Sequence, residues 1–177
     1  MELQSVEPSL VSVKAILLLD NDGKRVFSKY YDDTFPSLKE QQKFEETLFN
    51  KTHRANAEIV MLEGTTCVYR SNVDLYFYVV GSQIENELML MSVLTALYDT
   101  VSQVLRRHVE KRSLFDHLDA LMLIIDEIID GGVVLETDPG VILQRIAIKF
   151  DDTSFSEQSV VQALQQAKDS LKWSLLK

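Results

Sequence analysis

The sequence predicts an α+β domain in which a five-stranded antiparallel sheet carries helices on both faces, with a C-terminal amphipathic helix beyond it. Three observations carry this prediction. Two apolar runs joined by Asp22-Gly23 form a hairpin, because Asp-Gly favours the positive backbone angles of a tight turn. Three further runs, "EIVML", "TTCVYR" and "VDLYFYVVG", have connections so short that only an antiparallel meander can join them. The last of these runs is apolar on both faces, so helices must cover both sides of the sheet.

From Val11 to Asp20 the pattern is almost continuously apolar, as in a strand buried on both faces, and "RVFSKYY" supplies its hairpin partner. In "TFPSLKEQQKFEETLFNKT", Ser37 and Glu40 have capping-box spacing, and Leu38, Phe44, Leu48 and Phe49 fall on one arc. That segment is a helix. Turns are expected at Glu63-Gly64 and Ser71-Asn72. In the strand between them and the next helix, Val73, Leu75, Phe77 and Val79 face one way and Tyr76, Tyr78 and Val80 the other. A long helix is expected from about Glu85 to His108 and a second from about Ser113 to Ile129, stopped by Gly131-Gly132. The next segment reads two ways: Asp138-Pro139 can start a helix, whereas "RIAIKF" alternates like a strand. Residues 1–149 are assigned to the sheet-and-helix domain. Residues 150–177 are assigned to a polar linker and a final helix whose stripe, with Val160, Leu164, Leu171 and Leu175 beside Trp173, is a candidate partner contact.

At 177 residues the chain fits one domain, and 46% hydrophobic with 25% charged residues is a globular composition. The formal net charge of -9 opposes binding to a phosphate backbone, so nucleic acid is not expected as a partner. Cys67 is alone, which rules out an internal disulfide and a thiol cluster and favours a reducing compartment. It is expected to be a buried strand residue. "MELQSVEPSL" lacks the pattern of a secretory signal, and the most apolar window, "LMLMSVLTALYDTV", is too short and too broken to span a bilayer.

Two aspartates after a run of leucines, in "LLLDNDGK", raise two chemical readings. A calcium loop with Gly23 as its sixth residue puts Leu18 first and Lys29 twelfth, and neither can be a ligand there. A phosphotransferase of the haloacid dehalogenase type needs a parallel sheet and a βα unit after the first strand, where this sequence has a hairpin. The third reading, a tight turn, remains. His53, His108 and His117 have no metal spacing. Asp126, Glu127 and Asp130 read as the wet side and end of a helix. Arg106, Arg107, Lys111 and Arg112 form a candidate basic patch at the close of the long helix, suited to acidic lipid or an acidic protein surface. No set of nucleophile, base and orienting group is recognisable, so no enzymatic activity is expected.

In order along the chain, "VKAILLLDNDGKRVFSKYYDD", "FNKTHR", "ENELMLMSVL", "DEIIDGGVVLETDP" and "KWSLLK" closely resemble the zeta chains of coatomer, within the wider family of clathrin adaptor small (sigma) chains. The resemblance runs from Glu7 to Lys177. Val133 stands where sigma chains have an acidic residue after the paired glycines, which favours the zeta branch. The resemblance implies a longin-like fold and a non-catalytic role without cofactor, metal or small-molecule substrate. It implies the gamma subunit of coatomer as direct partner, its N-terminal helical trunk cradling the small chain, and contacts with the other coatomer subunits. It further implies recruitment, through an ARF-family GTPase, to the cytosolic face of Golgi membranes and COPI-coated vesicles, which serve Golgi-to-ER and intra-Golgi transport. Sigma chains also help bind acidic dileucine signals, but Tyr98 stands where a small aliphatic residue would line that groove, so the site is not carried over. The alternatives are a longin module of a tethering or SNARE-type protein, or the phosphatase already weighed.

Overall fold

A computed structural model describes residues 12–55 and 57–152. The opening hairpin is β1 (Val13–Asp20) and β2 (Arg25–Tyr30), followed by α1 (Leu38–Thr52) and a meander of β3 (Ile59–Leu62), β4 (Thr65–Asn72) and β5 (Leu75–Ser82). Then come α2 (Glu87–Val104), α3 (Lys111–Phe115), α4 (Leu118–Ile128), a short ribbon of β6 (Ile129–Asp130) and β7 (Val133–Val134), and α5 (Pro139–Asp152). The main sheet has the order β2-β1-β5-β4-β3 and is antiparallel throughout. The expected stripe of Val160, Leu164, Leu171, Trp173 and Leu175 lies outside the described residues.

Strand alternation divides the interior into two cores. Ile16, Leu18, Val68, Leu75, Phe77 and Val79 face α2, α4 and α5, while Leu17, Leu19, Tyr78 and Val80 face Phe44, Leu48 and Phe49 of α1. Every residue from Ala15 to Leu19 is fully buried. Burying each such leucine or isoleucine favours folding by about 1.5–3 kcal/mol before entropy is counted, so β1 is held from both sides. The capping box on α1 forms as its spacing predicts: Ser37 Oγ accepts from the Glu40 N–H at 3.2 Å and the Glu40 carboxylate accepts from the Ser37 N–H at 3.0 Å.

Three expectations are corrected and one open reading is decided. The long helix ends at Val104, not near His108. Arg106, at φ +51°, closes it: its N–H donates to Gln103 O and that of Arg107 to Ser102 O, which is the Schellman pattern with arginine in the position glycine usually takes. This turn brings Val109 back into the core, where it is 1% exposed. The next expected helix is two helices. The His117 ring nitrogen lies 2.8 Å from Ser113 O, the carbonyl a continuing helix would offer to the His117 N–H, and that N–H donates to Leu114 O instead. The β4–β5 turn is at Val73-Asp74, not Ser71-Asn72, because the tip is tied down: Asp74 Oδ1 accepts from the Lys111 N–H at 2.9 Å. Of the two readings of the segment after Asp138-Pro139, the helix is the one adopted, "RIAIKF" included. Asp138 Oδ1 accepts from the N–H groups of Gly140 and Val141, and Ile142, Leu143 and Ile146 bury one face of α5.

Gly23, at φ +74°, makes the first hairpin turn, and a Cβ there would lie 2.6 Å from Phe49 Cδ1. Gly64 has the same φ but nothing within 4 Å. Gly23→Ala is therefore expected to cost about 2–4 kcal/mol in urea unfolding, from backbone strain plus overpacking, against about 1 kcal/mol for Gly64→Ala from strain alone. Equal losses at the two sites would show that the Phe49 contact is not a constraint.

Candidate functional site

The aspartates that open the chemical question do not converge. Asp20 is 5% exposed at the end of β1. Its Oδ1 accepts from the N–H groups of Asp22 (2.9 Å) and Lys24 (2.8 Å), and its Oδ2 accepts from Lys111 Nζ at 2.7 Å. Both carboxylate oxygens are thus engaged in holding the turn and docking it to α3. Asp22 is exposed. An attacking carboxylate needs a free oxygen facing a substrate cavity, and Asp20 offers none.

The other buried acids are tied in the same way. Glu45, 3% exposed, accepts from Arg25 Nε at 2.9 Å, pairs with Arg25 Nη2 at 2.7 Å and accepts from the Tyr30 hydroxyl at 2.9 Å. Burial and that carboxylate push the Tyr30 pKa up. Glu127 is not on the wet side of its helix as expected: it is 8% exposed and pairs with Arg145 and Lys149 of α5. Asp126 pairs with Lys29 of β2, and Asp130 is exposed. Cys67 is buried, and burial pushes its thiol pKa up to about 11. One ring nitrogen of each histidine lies within hydrogen-bond distance of a local backbone carbonyl: His53 with Phe49, His108 with Arg106, His117 with Ser113. Among the described residues no three His, Cys, Asp or Glu side chains are grouped to hold a metal ion.

The four residues of the candidate basic patch have unlike surroundings. Lys111 is paired with Asp20, Arg106 and Arg107 occupy the left-handed backbone region, and Arg112 is exposed in α3. Asp116 and His117 line the adjoining cleft of about 320 Å³ together with Arg106 and His108, so the surface there is mixed in charge.

Two surface features were missed in the sequence. The first is apolar exposure: Ile84 and Leu88 are 71% and 79% exposed at the start of α2, and Ile59 and Met61 are 44% and 53% exposed on β3. The apolar periodicity of α2 contains Leu88, but nothing in that pattern says which of its apolar residues stays uncovered. The second is a cleft of about 720 Å³ beyond the end of β3, between Thr52 and His53 of α1 and Met91 and Leu94 of α2. Its floor includes Tyr69, whose buried hydroxyl lies against the Ala57 backbone.

With both carboxylate readings closed by geometry, comparison with known proteins decides the family. The profile described as "Clathrin adaptor complex small chain" matches residues 12–153. "Coatomer subunit zeta-1" of Homo sapiens is 58% identical over 177 residues, covering 100% of both chains. The chain belongs to the coatomer zeta branch of the adaptor small-chain family. "Coatomer subunit zeta-1" of Arabidopsis thaliana is 47% identical over 171 residues, covering 93% of this chain and 97% of its own. A chain of a structure described as a homology model of the full-length AP-3 complex in a stretched open conformation superposes with a TM-score of 0.61 over 80% of this chain and 98% of its own, at 18% identity. The five-stranded antiparallel sheet with helices on both faces is thus the longin-like fold of adaptor small chains. In this small chain Tyr98 is held between neighbours: its ring meets Phe77 edge-on at 5.5 Å and the Arg70 guanidinium lies 3.7 Å from its centroid.

Burial pushes the Asp20 carboxyl pKa up, but the Lys111 hydrogen bond and the backbone N–H groups of Lys24 and Asp22 outweigh it and hold it below the usual 3.8. A carboxyl depressed in the folded state stabilises fully above its unfolded-chain pKa, and that contribution is lost as pH falls through the folded value. The stability gap between the native chain and Asp20→Asn, measured by urea midpoints, is therefore expected to be widest above the ordinary carboxylate range and to close as pH falls below 3.8. A gap independent of pH would show that the ionised carboxylate contributes nothing.

Proposed function

We propose that this chain is a non-catalytic small subunit of the COPI vesicle coat that braces the trunk of the coatomer gamma subunit. One observation carries the reading: identity to coatomer zeta-1 runs over the full length of both chains. The geometry supports it. The buried acids Asp20, Glu45 and Glu127 are each satisfied internally by a cation from another element, so they serve position, not turnover. What remains for function is surface.

A sheet sealed by helices on both faces is a stiff wedge, and a stiff partner loses little conformational freedom when it binds. Stable association of this kind buries roughly 800 Å² on each partner around an apolar centre with a polar rim. The exposed Ile84, Leu88, Ile59 and Met61 are apolar residues of the sort such a centre uses. No described helix is long and apolar enough to cross a membrane. In this reading the chain reaches the cytosolic face of Golgi membranes and vesicles through the coat, with an ARF-family GTPase recruiting the assembly, and serves Golgi-to-ER and intra-Golgi transport.

The test is purification of the tagged full chain from cytosol at moderate salt, followed by mass spectrometry of what co-elutes. The expected result is recovery of the gamma subunit in equal amount together with the other coat subunits. Elution of the chain as a lone monomer, with no large subunit retained, would overturn the proposal.

A further inference from the structure

We propose that the tail of this chain, residues 158–177, packs as an amphipathic helix on an apolar shoulder formed by the outer flank of α2 and strand β3. The proposal concerns the free chain and goes beyond the coat-subunit reading: a large partner that uses the same residues would have to displace the tail.

Strand register builds one side of the shoulder. Ile59 pairs with Val68 and Met61 with Thr66, and directly paired residues share a face of the sheet. Val68 lies in the core beneath α2, so Ile59 and Met61 stand on that same face, one strand further out. Strand β3 is the sheet's edge, and both residues are exposed.

Helix α2 supplies the other side. A Cβ on Gly81, which pairs with Thr66, would lie 2.8 Å from Leu90 Cδ1, and the Tyr98 ring meets the Arg70 guanidinium. Between those two anchors α2 follows β4 from Thr66 to Arg70, and β3 flanks the first part of that stretch. Leu88, Met91, Thr95 and Tyr98 recur at helical spacing on one side of α2, and the contact with Arg70 turns that side toward β4. Leu88 and Met91 therefore look out over the strip that carries Ile59 and Met61. Ile84, one turn ahead of Leu88, continues the line and is exposed as well.

Charge and reach choose the occupant. Residues 55–69 and 81–105 carry Glu58, Glu63, Glu85, Glu87 and Asp99, and no Lys, Arg or His. Arg70, at the far end, is held by the Tyr98 ring and lies 4.0 Å from Asp99. An apolar strip rimmed by acids is matched by an apolar stripe rimmed by lysines. In the tail, Leu164, Leu171 and Leu175 form the stripe, Lys168 and Lys172 border it one turn apart, and Asp169 is the one acid from 158 to 177. A second copy would set one acidic rim against another, in a chain of net charge -9. Helix α5 packs against α2 and α4 and runs to Asp152. Residues 153–157 can span up to about 17 Å, more than the diameter of about 10–12 Å of the α2 helix they must cross.

Hydrogen exchange of the full chain tests this, because an isolated helix of this length is marginal in water and its amides are slowed only by docking. Tail amides are expected to exchange at least about tenfold more slowly in the native chain than in Leu88→Glu or Met61→Glu, one variant for each side of the shoulder. Both side chains are more than half exposed, so the thermal midpoint is expected to stay within about 4 °C. Met122→Glu, at an exposed apolar residue of α4, is expected to leave the tail protected. Unprotected tail amides in the native chain overturn the proposal; protection of residues 84–91 that then appears only with the coatomer gamma subunit assigns the shoulder to that partner. Protection that survives both shoulder variants, or is lost in Met122→Glu, places the tail elsewhere and overturns it too. So does protection that rises with concentration, which assigns the contact to a second copy.

Discussion

Strand β1 has no wet face. Ala15 through Leu19 are fully buried, alternately against α1 and against the α2, α4 and α5 layer. A strand buried on both sides forces the whole sheet to be sandwiched, because its neighbours β2 and β5 extend the same two surfaces. Pairing with β5 along most of its length fixes the register, and a slip of one residue would send every leucine of β1 into the opposite core. The cover is unequal: among the described residues α1 packs on one face, while α2, α3, α4 and α5 all contribute to the core on the other.

Charge is spent on placing elements against one another. Asp20 joins the first hairpin to α3 across 91 residues of sequence, Glu45 joins α1 to β2, and Glu127 joins α4 to α5. A buried pair adds little net stability, since desolvation offsets attraction, but removing one partner leaves a costly uncompensated charge. Such ties therefore select one arrangement of elements over others of similar apolar burial. They also occupy the carboxylate that looks most suggestive in the sequence: Asp20, clamped by backbone N–H groups and a lysine, has no free oxygen to offer a substrate.

The sequence was legible where a local pattern and the tertiary structure agree. Asp22-Gly23, the Ser37–Glu40 box and the two-faced apolar alternation of β5 each have one physical solution, and the fold adopts it. It was illegible where a tertiary contact overrides local preference. Arginine at a left-handed helix end carries no stop signal, so α2 read as longer than it is, and the burial of Val109 is what turns the chain. Valine at φ +49° is an unfavourable turn residue, so the β4–β5 turn was placed two residues early. Ile146 and Ile148 alternate as a strand would, yet Ile142, Leu143 and Ile146 show helical burial and Ile148 is 64% exposed.

The unusual backbone positions gather around the β4–β5 hairpin tip. Val73 makes the tip, Arg106 and Arg107 turn the chain after α2, the Lys111 N–H at the start of α3 donates to the Asp74 carboxylate at 2.9 Å, and the Asn72 side-chain amide donates more loosely to Val109 O at 3.5 Å. A hairpin tip left unsupported frays. Here the tip is held by the segment that follows α2, so the strained positions persist because the structure around them over-determines them.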